Sequence, residues 1–290
     1  MTSARRRLLS PALILASATS TQLGAALVVR LFALTSPTFA AWVRNTVGAA
    51  VLLALIALRR LSLRRLELVP VTALGIVLGT MNASFYEAIA RLPLGDAVAI
   101  EFLGPVAVAA VASGLSRDLL WVALAAAGVV AISRPGPQHL SYAGIAFVLG
   151  AATCWAIYIV VGRRIATTGR RAEGLAASMA VSAAWLLLPA LVRSGPSLFD
   201  VRVLVFGAAI GILSSAIPYS VELSAMQHTP PRVFGVLLSL QPLLAAVMGL
   251  AILGQHLSAI EVTGFLLVIT ASVGVTVMAP VELPAEALAG

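Results

Sequence analysis

Long apolar stretches alternate along the whole chain with short polar or arginine-bearing breaks, and most approach the roughly 20 residues a helix needs to cross a hydrocarbon core about 30 Å thick. The pattern predicts ten such helices: Pro11–Leu34, Thr38–Leu58, Val69–Ala90, Leu94–Leu115, Leu119–Ser133, Ser141–Val161, Gly174–Val192, Val203–Met226, Val233–Leu253 and Ser258–Ala279. The fifth is short for a full span unless it begins inside the preceding loop. Pro93 to Pro105 and Pro230 to Pro242 repeat one spacing at the start of the fourth and ninth stretches. Gly75-Ile76-Val77-Leu78-Gly79 in the third is echoed by Gly207-Ala208-Ala209-Ile210-Gly211 in the eighth, small residues four apart of the kind that let helix backbones approach. The expected fold is therefore all-α and membrane-integral, with ten transmembrane helices arranged as two five-helix repeats, 1–138 and 139–280, and a short cytoplasmic tail at 281–290. Because five is odd, the second repeat enters the membrane from the opposite side, which makes the pair inverted.

Composition agrees with that reading. Hydrophobic residues make up 60% of the 290 residues and charged ones 10%, against about 25% charged in a soluble domain, and the mean hydropathy is +1.04. The net charge of +8 is carried by loops rather than by a nucleic-acid-binding face. With the N-terminus cytoplasmic, one side collects Arg5, Arg6, Arg7, Arg59, Arg60, Arg64, Arg65, Arg117, Arg163, Arg164, Arg170, Arg171 and Arg232. The other collects Arg30, Arg91, Arg134, Arg193 and Arg202, so the positive-inside rule puts both termini in the cytoplasm. Arg5-Arg6-Arg7 precedes an apolar run too long for a secretory signal, so the first helix is read as retained. A single cysteine, Cys154, excludes an intrachain disulfide. His139, His228 and His256 have no metal-ligand spacing, and neither a metal nor a cofactor is implied. With no Gly-x-Ser-x-Gly elbow, no His-Glu-x-x-His and only short loops, nothing suggests an enzyme.

Candidate chemistry centres on Glu101. A carboxylate at bilayer depth costs roughly 2.5 to 3.5 kcal/mol on insertion scales and is kept where it faces a cavity, a partner or a solute. Pro105 has no N–H to give and clashes with the carbonyl four residues back, which is that of Glu101 itself; Pro242 stands in the same relation to Leu238. Both prolines are candidate helix interruptions, and interrupted helices at the interface of inverted repeats supply polar backbone groups in secondary transporters. Arg44, six residues inside the second helix, can hold a carboxylate bidentately or pair with Glu101. Asp96 and Glu87 lie near the outer ends of their helices and are expected to be hydrated.

Several strings resemble the EamA-type branch of the drug/metabolite transporter superfamily, and within it the bacterial inner-membrane threonine/homoserine exporters. They are Met81-Asn82 with Phe85-Tyr86, Pro93-Leu94-Gly95, Ala97 to Pro105, Cys154-Trp155-Ala156-Ile157-Tyr158-Ile159, Leu213 to Glu222, Phe234-Gly235 and Ser239-Leu240-Gln241-Pro242. The resemblance runs from about Leu8 to Pro280. One departure is Gly254-Gln255, where the family often has Gly-Glu; this shifts any coupling role toward Glu101 and Glu222. What the resemblance implies is outward movement of a small amino acid across a bacterial inner membrane, driven by the proton gradient. A carboxylate that alternates between protonated and ionised forms as access alternates suits that task. For a zwitterion, Glu101 and the freed carbonyls are the candidate acceptors for the ammonium group. Arg44, Asn82, Tyr86, Tyr158 and Ser239 are the candidate donors to the carboxylate. Trp155, Tyr219 and Glu222 complete the set of candidate substrate or coupling residues. Relatives in the superfamily also handle aromatic amino acids, cysteine derivatives and cationic drugs, so these, and a passive facilitator, stay open as alternatives. The glycine-rich faces serve a homodimer and internal packing equally well.

Overall fold

The computed structural model describes residues 3–63, 66–113, 119–132, 141–167, 170–194, 200–218, 221 and 231–278. Twelve α-helices run through them: α1 Ser3–Leu31, α2 Pro37–Leu58, α3 Leu68–Ile89, α4 Leu94–Glu101, α5 Leu103–Ser113, α6 Leu119–Ile132, α7 Tyr142–Thr167, α8 Arg171–Ser194, α9 Val201–Gly211, α10 Pro231–Leu238, α11 Gln241–Leu253 and α12 Ala259–Met278. Their starts follow ordinary capping chemistry. Ser36 accepts the Phe39 N–H at 3.2 Å ahead of Pro37, whose missing donor costs nothing in a first turn. Asp200 accepts the Arg202 N–H at 2.9 Å at the start of α9.

Among the described residues, eight helical stretches are long and apolar enough to cross a membrane, with α4–α5 and α10–α11 each contributing one; Leu119–Ile132 and Val201–Ala216 are apolar but shorter. The 14 residues of α6 extend about 21 Å at 1.5 Å per residue, less than the hydrocarbon thickness. The stretch read from the pattern as Val203–Met226 is α-helical to Gly211 and helical again at Ile217 and Pro218. It widens into a π turn over Ile212–Ala216, and its far end lies outside the described residues.

The fourth apolar stretch is two helices rather than one. α4 stops at Glu101, Phe102 turns, and α5 resumes at Leu103. Phe102 still donates to the Val98 carbonyl at 3.1 Å and Val106 to the Phe102 carbonyl at 3.2 Å, so the helix axis carries on past the lost bond. α10 and α11 meet in the same way around Ser239 and Leu240, just before Pro242.

All eight residues of α4 are buried. The helix is packed against α3, α6, α7, α11 and α12. Its entry is set from another element: Gly254 takes a left-handed φ of 67°, which a side chain would disfavour. That turn lets Gln255 fold back so that its Oε1 accepts the Leu94 N–H at 3.1 Å, capping α4 where Pro93 offers no side-chain cap. Around this centre α3 packs on α7 and α8, α2 on α8, α1 on α11, and α6 on α12. The last pair crosses at Gly128 and Gly264, where a Cβ on either would stand 2.8 Å from the other's carbonyl oxygen. Large apolar side chains such as Val69, Val111, Leu188 and Val192 point outward, a surface suited to lipid rather than to water.

Candidate functional site

Arg44 is buried at 8% exposure, and the structure meets its donors. Nε donates to Ser215 Oγ at 3.0 Å and a terminal nitrogen donates to the Ser214 carbonyl at 3.1 Å. Both acceptors belong to the π turn, whose widened bonding pattern is often used at functional positions. The guanidinium also lies over the Tyr86 ring, 5.5 Å from its centroid. The hydroxyls of Tyr86 and Ser214, beside Arg44, are buried without a hydrogen bond of regular geometry.

Glu101 ends α4 at the helix break, within coulombic range of Arg44 and Cys154. Nothing hydrogen-bonds its carboxylate among the described residues. The contrast matters energetically. Hydrogen bonds to a charged group contribute about 1.5 to 3 kcal/mol each, so two of them offset much of the cost of burying Arg44. Glu101 has no such offset, and a buried carboxylate in that state favours a proton or a ligand cation.

Other residues singled out in the sequence go elsewhere. Asn82 donates to Asn45 Oδ1 at 2.8 Å, and Asn45 donates to Ser182 Oγ at 2.8 Å, a buried chain tying α3, α2 and α8. Trp155 meets Phe102 edge to face at 5.0 Å, against the turn that follows Glu101. Tyr158, one helical turn on, packs among Leu78, Met179, Leu74 and their neighbours. Ser239 is fully buried in the α10–α11 break, donating to the Gly235 carbonyl at 2.8 Å and pairing with Ser272 Oγ at 2.7 Å. Pro105 lies inside α5 and Pro242 in the first turn of α11. Tyr219 and Glu222 lie outside the described residues.

Two carboxylates expected to be hydrated are instead buried by protein. Glu87 is 4% exposed and accepts from Thr38 at 2.8 Å, Arg91 at 2.7 Å and Arg193 at 3.1 Å, joining α2, α3 and α8. Position along α3 suggested solvent, but α2 and α8 close over that end. Asp96 is 2% exposed and its Oδ1 has no partner, because α4 is covered along its whole length. Sequence reasoning also missed the partly buried amide pair in which Gln22 Nε2 donates to Gln241 Oε1 at 3.1 Å. The available signal was a glutamine in each of two apolar runs. Among the described residues no group of three or more His, Cys, Asp or Glu converges as a metal site.

Residues 142–277 match the EamA-like transporter family. The threonine/homoserine exporter RhtA of Salmonella typhimurium strain LT2 is 38% identical over 269 residues, covering 91% of this chain and 90% of that protein. The threonine/homoserine exporter RhtA of Escherichia coli K12 is 37% identical over 266 residues with the same coverage. A crystal structure at 18% identity covers 96% of this chain and 98% of its own with a TM-score of 0.65, a likeness of fold. At that identity and coverage, this multi-pass membrane chain belongs to the EamA-like transporters of the drug/metabolite transporter superfamily, alongside the RhtA exporters.

Proposed function

We propose that the protein is a secondary transporter of the bacterial inner membrane that exports small amino acids of the threonine and homoserine type by proton-coupled alternating access. The observation that carries the reading is a buried Arg44 held by two hydrogen bonds near a buried Glu101 that has none among the described residues, with the Tyr86 and Ser214 hydroxyls beside the guanidinium. An amino acid presents one carboxylate and one ammonium group. The carboxylate goes to the Arg44, Tyr86 and Ser214 side; the ammonium goes to Glu101. When no substrate is bound, a proton takes the place of the ammonium at Glu101, and that exchange couples efflux to the proton gradient. The names of the 37–38% identical relatives support the substrate class.

The architecture that goes with this function is ten spans in two inverted repeats, with α6 and the α9 stretch crossing as the fifth and eighth and with both termini cytoplasmic. The packing supports it. Shifting every span by five maps α1 on α11 onto α7 on α5, α3 on α8 onto α9 on α2, and α3 on α7 onto α9 on α1, and all of these pairs pack. The family match, confined to 142–277, agrees with a division near residue 139.

The test is efflux of labelled threonine and homoserine from proteoliposomes holding wild-type protein or Glu101→Gln, with and without an imposed pH gradient. Gradient-stimulated efflux that disappears in an inserted, folded Glu101→Gln protein is the expected result. Equal stimulation in the variant removes Glu101 from coupling, and no efflux by the wild type overturns the substrate class.

A further inference from the structure

Five buried side-chain atoms among the described residues lack a hydrogen bond of regular geometry, among them the Tyr86 and Ser214 hydroxyls and Gln22 Oε1. The first two stand beside Arg44. Gln22 is 3% exposed; its Nε2 donates to Gln241 Oε1, and its own Oε1 accepts no hydrogen bond among the described residues.

Extrapolating the packing register of α4 on α11 relates this acceptor to the Glu101 end of α4. α4 and α11 run antiparallel: a Cβ on Gly95 would meet Ala246 at 3.0 Å, and one on Gly249 would meet Leu94 at 3.8 Å. Continuing that register to the end of α4 brings Glu101 opposite Gln241, the residue that holds Gln22. On the neighbouring faces of α1, Ser20 Oγ donates to the Leu213 carbonyl at 2.8 Å and Gly24 packs against Ser214. The 20–24 segment of α1 is thus wedged between the π turn that holds Arg44 and the start of α11.

We propose that Gln22 Oε1 accepts a hydrogen bond from the side-chain hydroxyl of the exported amino acid, and that this contact sets selectivity for hydroxylated substrates over apolar isosteres. The proposal rests on the amino-acid-export reading above. The ammonium group is drawn to the charged Glu101, and the substrate carboxylate accepts rather than donates, so the donor left for a neutral amide oxygen is the hydroxyl. An analogue carrying a methyl group in its place leaves Gln22 Oε1 buried and unpaired, which is how a hydrogen-bonding site rejects an isostere more strongly than an apolar pocket does.

The test measures threonine against valine, and homoserine against norvaline, as competitors of labelled homoserine efflux from proteoliposomes of the full chain. In the wild type each apolar isostere should compete at least about 10-fold more weakly than its hydroxylated counterpart. In Gln22→Met, which keeps the side-chain length and removes the acceptor, the ratio should fall toward one with valine competing more strongly than in the wild type, because no buried acceptor is then left unpaired; a collapsed cavity would weaken valine instead. If Gln22→Met is not inserted, Gln22→Asn is read in the same way, with an intermediate ratio expected because the amide is retracted by one methylene. An unchanged ratio in an inserted variant overturns the role of Gln22 while leaving the export reading in place. A wild type that exports neither hydroxylated amino acid overturns the export reading and this proposal together.

Discussion

At the scale of the residue, buried charge separates into groups that the protein satisfies, such as Arg44 and Glu87, and carboxylates that it does not, Glu101 and Asp96. Arg44 spreads its bonds over two acceptors in fixed directions, a geometry that a planar fork meets and a point charge does not. Arg44→Lys is therefore expected to insert and fold but to export homoserine at least about 10-fold more slowly, as initial efflux rates from proteoliposomes would register. Glu87 is a contrasting case: it carries three side-chain contacts, yet Arg91 and Arg193 are 36% and 57% exposed and can hydrate once the carboxylate is gone. Glu87→Gln should for that reason lower stability by about 1 to 2 kcal/mol, short of the 3–5 kcal/mol typical when a fully buried pair is broken. Thermal unfolding in detergent would record it as a lowered midpoint with transport retained. Glu101 and Arg44 could be singled out from one sequence because charge is rare in apolar runs. The partners of Arg44 could not, since Ser214 and Ser215 are 170 and 171 residues away and serines are common in membrane helices.

At the scale of the helix, glycine and proline mark where elements meet and where they break. Gly128→Ala on α6 would bring a Cβ to 2.8 Å from the Gly264 carbonyl and 2.9 Å from Val268, so the α6–α12 crossing must open, at a cost of about 1 to 3 kcal/mol. Gly150→Ala on α7 meets nothing within 4 Å and should be neutral or stabilising by up to about 1 kcal/mol. Melting temperatures of the two variants, measured side by side, check that close approach rather than helix propensity is what the glycine at 128 supplies. The breaks show a related division. Proline spacing locates the interrupted regions at Pro105 and Pro242, but the turns fall at Phe102 and at Ser239-Leu240 because the lost bond and the clash act on the preceding turn. The π turn at Ile212–Ala216 carries the same mark one turn on: Pro218 has no N–H to give and stands four residues past Ser214, whose freed carbonyl accepts from Arg44.

At the scale of the whole molecule, topology turns on whether the two short apolar helices cross the bilayer. The 14 residues of α6 fall short of a typical span, whereas the pairing of spans under a shift of five fits ten crossings. Cysteine accessibility distinguishes the two, starting from Cys154→Ser as a cysteine-free background. Ser62→Cys should be labelled from the cytoplasmic side in either case. Thr167→Cys, at the end of α7, should also be labelled from the cytoplasm if ten helices cross, and from outside if α6 does not.

By itself the sequence determined the class of the protein, the places where charge interrupts apolar helices, and its family neighbourhood. These depend on composition, on local periodicity and on residue types whose cost in lipid does not depend on what surrounds them. Only the tertiary structure decided which charges are satisfied. It enclosed Glu87 and Asp96 where proximity to a helix end suggested water, turned Asn82 toward Asn45, and placed the Gln22 amide opposite Gln241. Hydrogen-bond partners and burial arise from contacts between helices far apart in the chain, and no local pattern in one sequence encodes which helix covers which.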